Sequence, residues 1–183
     1  MKHLLSLGSI CAALAYGQVA DFEVQDLNGR TVSLASQRGA LTVVTFISTQ
    51  CPVSNSYNDR MVAVFNDYSA KGVKFVFVNA NRNESAKEVA EHAKAVGFPF
   101  PVYLDYKGQA ADVFDAQVTP QIYVIDSAGT LVYHGQIDDN RNEARVDRKS
   151  LRLALDATLA GKPVAVKETK AFGCTIKRAR RTT

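Results

Sequence analysis

The sequence predicts an α/β domain, a central mixed sheet flanked by helices, with an N-terminal β-hairpin and a basic C-terminal tail. Three observations carry this. Residues 41–47 are continuously apolar and β-branched, the mark of a strand covered on both faces, and 73–78 read as a second buried strand. The segments that follow them place apolar residues at helical spacing, at Tyr57, Met61, Val64, Phe65 and Tyr68, then at Ala86, Val89, Ala90, Ala93 and Val96. Asn28-Gly29, between Phe22-Glu23-Val24 and Thr31-Val32-Ser33, is a tight-hairpin signal.

Chain order justifies the remaining elements. Pro52 suits a first helical position, and the helix expected over 52–70 stops at Lys71-Gly72. Ser85 and Glu88 have capping-box spacing, and Gly97 ends the next helix. A short strand follows at 102–104, then one or two helical turns over 110–114. Residues 118–126 read as a strand with Pro120 near its start, where a missing N–H is tolerated. Ser127-Ala128-Gly129 turns the chain into an antiparallel partner at 131–133. Leu151, Ala154, Leu155, Thr158 and Leu159 write a last helix that opens near Asp147 and closes at Gly161.

At 183 residues and 46% hydrophobic content, the chain reads as one globular domain able to bury a core without staples. Residues 1–17 read separately, as a signal peptide: Met1-Lys2-His3 is a basic start, 4–14 is an apolar run too short to span a bilayer, and Ala15-Tyr16-Gly17 supplies small residues. Cys11 raises a lipid anchor, but Ile10 stands where such a signal takes a small residue. The expectation is an exported protein, periplasmic or extracellular, with no stable membrane insertion after signal removal, a folded domain over 18–161 and a tail over 162–183. That tail holds seven Lys or Arg against Glu168, a net +6 where the whole chain carries +4. An exported protein seldom meets nucleic acid, so no nucleic-acid partner is expected and the tail reads as solvated.

Removal of the leader leaves Cys51 and Cys174, and one internal bridge at most. Cys51 stands where an apolar strand runs into a helix, in Ser48-Thr49-Gln50-Cys51-Pro52, and a thiol there meets unpaired N–H groups that favour the thiolate. On this stretch alone a redox or nucleophilic cysteine and a buried structural one stand about even.

The order of elements, with Cys51-Pro52 heading a helix and Thr119-Pro120 opening the late hairpin, resembles the thioredoxin-like fold. Thr119-Pro120 matches that superfamily's cis-proline loop, whose backbone lies against the active-site cysteine; an ordinary trans proline at a strand edge is the alternative. More closely the chain resembles the redoxin group, the alkyl hydroperoxide reductase/thiol-specific antioxidant family, in its peroxiredoxin-like branch. The matching stretches are Cys51-Pro52, Asn58-Asp59-Arg60-Met61, Gly135-Gln136-Ile137-Asp138-Asp139-Asn140-Arg141 and Gly173-Cys174-Thr175-Ile176-Lys177. The resemblance implies a thiol-dependent oxidoreductase in which Cys51 attacks a peroxide or a protein disulfide, with a thiol reductant protein or small thiol as electron donor and no cofactor.

Departures shape that expectation. Ser54 stands where thioredoxins carry a second cysteine, so a local Cys-x-x-Cys bridge is impossible. Ser48 satisfies the peroxiredoxin Thr or Ser three residues before the cysteine, but Val44 replaces a proline and Pro120 the peroxide-activating arginine. Arg60 or Arg141 would then assist a thiolate from another direction, or else form structural ion pairs. Cys174 is the internal candidate for the resolving thiol, with Lys177 and Arg178 beside it; the competing reading leaves it quiet, with the resolving thiol on a partner protein. A thiol–disulfide oxidoreductase without peroxidase activity is the rival enzyme, and a non-catalytic binding module the rival of another class. Copper-handling relatives add a cysteine where Asn55 stands; with only Cys51 and His134 remaining, no metal site is expected. His92 falls off its helix's apolar stripe and reads as solvated.

Overall fold

The structure, a computed structural model, describes residues 17–178, so the leader expected over 1–17 lies outside the described residues except for Gly17, as do residues 179–183 of the tail. Strands β1 (Glu23–Gln25) and β2 (Thr31–Ser33) form the N-terminal hairpin, and β3 (Leu41–Ile47) leads into helices α1 (Pro52–Asn55) and α2 (Asn58–Ser69). There follow β4 (Val73–Asn79), α3 (Ala86–Val96), β5 (Val102–Leu104) and α4 (Gln109–Val113). The chain then runs through β6 (Val118–Thr119), β7 (Gln121–Asp126), β8 (Leu131–Gly135), α5 (Ser150–Leu159) and β9 (Cys174–Thr175).

Seven strands make one mixed sheet in the order β2-β1-β5-β4-β3-β7-β8. Strand β3 lies parallel to β4 and antiparallel to β7, and all seven of its residues are buried. Alternation along β3 divides the core. Val43 and Ile47 face Met61 and Val64 of α2, Val89 of α3 and Leu155 of α5, while Val44 and Phe46 face Ala110 and Ala111 of α4 with Phe22 and Phe114. Burial of each such side chain contributes roughly 1.5–3 kcal/mol, so the strand that delivers Cys51 is anchored on both faces.

Five expectations change. The helix expected over 52–70 is two helices, broken at Ser56 and Tyr57. Ser54, Asn55, Ser56, Tyr57 and Asn58 are successive weak helix formers whose side chains compete for backbone groups. Ser54 Oγ accepts the Ser48 N–H (3.2 Å), the Asn55 amide donates to the Thr49 carbonyl (2.8 Å), and the Arg60 guanidinium donates to the Ser56 carbonyl (3.1 Å). The strand expected over 118–126 is interrupted at Pro120, which has no N–H for the ladder; β6 leaves the main sheet. The strand expected to end at Tyr133 continues to Gly135, and the last helix begins at Ser150, after a short 3₁₀ turn at Glu143–Arg145.

The fifth difference concerns the tail, whose lysines at 162, 167, 170 and 177 are exposed but whose backbone is docked along the domain as a strap. His134 N–H donates to the Lys167 carbonyl (2.9 Å) and Thr169 N–H to the His134 carbonyl (3.0 Å). Thr169 Oγ accepts the Gln136 N–H (3.0 Å) and bonds the Tyr133 hydroxyl (2.7 Å). Gly135, at φ +138°, gives the strap room there, since a Cβ would collide with Thr169. Phe172 packs edge-on against the buried Tyr57 ring, and Ile176, 5% exposed, enters the core beside Phe114.

Candidate active site at the Cys51 and Cys174 pair

Loop 48–50, leaving the end of β3, sets the position of Cys51. A buried carboxylate that sequence reasoning missed holds this loop. Glu84, 1% exposed, accepts the Ser48 hydroxyl on one oxygen. Its other oxygen takes the Thr49 N–H (2.7 Å), the Thr49 hydroxyl (2.7 Å) and the Asn79 side-chain amide (2.6 Å). Burial pushes the Glu84 carboxyl up, but hydrogen bonds from Ser48, Asn79 and Thr49 outweigh it and hold the group below the usual glutamate value. Glu84 is therefore an ionised group in the interior, made tolerable by its donors. Its signal in the sequence is the polar run 79–85 immediately past the carboxyl end of β4, where parallel strands place their sites.

Cys51, 2% exposed, is the N-cap residue of α1 in extended conformation, and its sulfur accepts the Ser54 N–H at 3.2 Å. Because α1 has only four residues, a thiolate here gains this one directed N–H rather than the field of the long helix the sequence suggested. The Thr119–Pro120 peptide bond is cis, and the Thr119 carbonyl oxygen lies 3.4 Å from the Cys51 sulfur.

Cys174 closes the site from the strap: it is disulfide-bonded to Cys51, with Cα atoms 5.9 Å apart and a separation of 123 positions in the chain. Strand β9 pairs antiparallel with β6, Thr119 opposite Cys174 and Val118 opposite Thr175. Gly173 permits the approach, because a Cβ there would overlap the Thr119 carbonyl. Past Cys174, Lys177 N–H donates to Asn81 Oδ1 (2.9 Å) and the Lys177 carbonyl accepts the Arg82 N–H (3.0 Å). A polar cleft of about 150 Å³ opens beside the pair, lined by Gln50, Asn81, Asn83, Thr175 and Lys177 with Ser48 and Glu84 beneath.

The structure thus gathers Ser48, Cys51, Pro52, Thr119, Pro120 and Cys174 in one place. It does not gather Arg60, whose guanidinium is engaged elsewhere: it grips both Asp138 oxygens (2.8 Å each) and the carbonyls of Asn140 (2.9 Å) and Arg141 (2.7 Å), over the Tyr57 ring. Arg141 donates to the Pro52 carbonyl (3.3 Å) and the Ser56 hydroxyl (3.3 Å). Arg178 is likewise turned away from Cys174, donating to Asp112 (2.9 Å) and the carbonyls of Ala111 (3.2 Å) and Ala116 (2.5 Å). The sequence could not show this, since these guanidinium partners lie 62 to 89 residues away. His134 faces Glu168 (3.7 Å) and stacks on Tyr123, and His92 is half-buried against Phe98 rather than solvated. Among the described residues no group of three or more His, Cys, Asp or Glu side chains is placed to hold a metal, and no helix is long and apolar enough to cross a membrane.

Comparison with known proteins bears on the fold and the family. A conserved protein of Geobacillus kaustophilus superposes with a TM-score of 0.83 at 33% identity, over 92% of this chain and 94% of that one. A protein from Sinorhizobium meliloti 1021 gives 0.83 at 32% identity, over 92% and 97%. The thiol-disulfide oxidoreductase ResA of Halalkalibacterium halodurans is 27% identical over 120 residues, 66% of this chain and 67% of the relative, so the match spans about two thirds of that protein. The fold is thioredoxin-like, and the profile of the AhpC/TSA family matches residues 16–134, from the hairpin through both strands that frame Cys51 to β8. With the matched region covering well over half the sequence, the chain belongs to the AhpC/TSA family.

Proposed function

We propose that this protein is an exported thiol-dependent oxidoreductase whose Cys51 and Cys174 cycle between dithiol and disulfide. The observation that carries the reading is the Cys51–Cys174 bond beside the cis Thr119–Pro120 turn. In the working direction the Cys51 thiolate, steadied by the Ser54 N–H, attacks one sulfur of a substrate disulfide and expels the other as a thiolate. Cys174 then attacks the Cys51 sulfur of that mixed disulfide, releasing the second substrate thiol and closing the internal bridge. A thiol donor restores the pair. Ser48 and Pro52 act by fixing the loop and the helix start, and Thr119-Pro120 forms the opposite wall; Arg60 ties α2 to the loop after β8. The name of the ResA relative supports disulfide exchange as the reaction, and the leader pattern over 1–17 supports export.

Peroxide reduction is a second reading, favoured by the 2% exposure of Cys51 and the small polar cleft, which suit a small oxidant. Here the Cys51 thiolate attacks one peroxide oxygen, the O–O bond breaks, the other oxygen leaves as water or an alcohol, and Cys174 condenses with the resulting sulfenic acid to release water. Turnover of insulin disulfides and of hydrogen peroxide, each with dithiothreitol as donor, separates the two. Wild type is expected to turn over insulin, and Cys51→Ser to fall to background with either substrate. Activity on peroxide alone moves the assignment to the second reading, and full activity in Cys51→Ser refutes both.

A further inference from the structure

We infer that electrons reach the oxidised pair through Cys174, so that the donor's thiolate attacks the Cys174 sulfur and Cys51 is the leaving group. This rests on the thiol-redox reading above and assigns the two sulfurs opposite partners, substrate at Cys51 and donor at Cys174.

The two ends of the bridge are not equivalent. Cys51 is 2% exposed, and its sulfur is flanked by the Ser54 N–H at 3.2 Å and the Thr119 carbonyl oxygen at 3.4 Å. An anionic nucleophile approaching that sulfur meets a carbonyl oxygen, which repels it. Cys174 is half-buried between exposed Gly173 and exposed Thr175, at the rim of the polar cleft. Access and leaving-group stability both govern thiol exchange, and both point the same way. Attack at Cys174 expels Cys51 as a thiolate that already holds a hydrogen bond from Ser54.

The strap is held by contacts other than the bridge as well. Ile176 N–H donates to the Gln117 carbonyl (2.9 Å), Lys177 is pinned to Asn81 and Arg82, and Phe172 and Ile176 pack against the domain. A donor joined to Cys174 is therefore held at the cleft, beside Cys51, after the first step. The step balances as follows. Donor thiolate forms a bond to the Cys174 sulfur as the 51–174 bond breaks, and the electron pair leaves on Cys51. A second thiol of a dithiol donor, deprotonated, attacks the donor's own sulfur, and Cys174 departs as a thiolate that takes a proton. Two electrons pass to the protein, the donor leaves as a disulfide, and the other proton goes to solvent.

The test uses the full chain in its oxidised form. It is treated with a large excess of 2-mercaptoethanol, quenched in acid at early times, alkylated and mapped by mass spectrometry. The expected result is the mercaptoethanol adduct on Cys174 and the alkyl label on Cys51, with Cys174 adduct exceeding Cys51 adduct about tenfold or more. Adduct mainly on Cys51, or shared equally, overturns the inference while leaving the redox pair standing. Oxidised protein lacking the 51–174 bond overturns the functional reading and this inference with it.

Discussion

Glu84, on the segment past β4, grips Ser48 and Thr49 at the start of the short loop that ends at Cys51. Glu84 collects the Ser48 hydroxyl, both donors of Thr49 and the Asn79 amide, so it fixes the backbone that presents the sulfur. Glu84→Gln keeps the shape but replaces a charged acceptor by a neutral amide that also brings two donors. A loss of about 2 kcal/mol in stability at pH 7 is expected in denaturant melts, from weakening charged hydrogen bonds in the interior. The pH dependence carries a sign. The folded-state value of Glu84 is depressed, so its stabilisation is fully present above the unfolded value of about 4.3 and is lost as pH falls through the folded value. The gap between wild type and Glu84→Gln should hold constant from neutral pH down to about 5 and close below about 4. A gap that widens in acid would mean that Glu84 is protonated in the native protein.

Among the elements, the strap gives the most direct test of packing. Gly173 lies against the cis-proline turn with no space for a side chain, and β9 pairs with β6 through only two residues. Gly173→Ala must push the strap off that turn, at a cost of about 1–3 kcal/mol where the neighbour is backbone. Slower formation of the 51–174 bond on oxidation is expected, followed by the loss of two free thiols, with little change in the far-UV spectrum since the sheet is untouched. Unchanged bond formation would show that the strap reaches Cys51 by another route. The split of the long helix belongs to this scale too. Tyr57, Met61, Val64 and Tyr68 fall on the core side as their spacing predicts, yet Ser54 and Asn55 turn back to loop 48–50 and end α1 early. Apolar periodicity reports which face is buried; it is silent on where polar side chains take over backbone hydrogen bonds.

At the scale of the molecule, the succession of strands and helices along the chain, the hairpin, the capping box at Ser85 and the Thr119-Pro120 turn were legible because each is a local pattern of residue types. The site was legible only in part. Cys51 announces itself by its strand-to-helix junction, whereas Cys174 lies in a stretch with no strong pattern, and its place depends on contacts such as Phe172 on Tyr57 and Ile176 in the second core. Glu84 was hidden because a lone carboxylate in a polar run looks solvated until the fold brings donors from 35 residues away. Arg60 misleads for the reverse reason: a cation near Cys51 in sequence is claimed by Asp138 in space. The whole account depends on the two distant cysteines acting as one couple. The measurement that addresses this most directly is a redox titration of the full chain in glutathione buffers, with the state of each cysteine read by peptide mass mapping. The account predicts one two-electron transition in which the Cys51 and Cys174 thiols disappear together and the 51–174 crosslinked peptide appears. Separate oxidation of the two cysteines, with no crosslinked peptide at any potential, would contradict it.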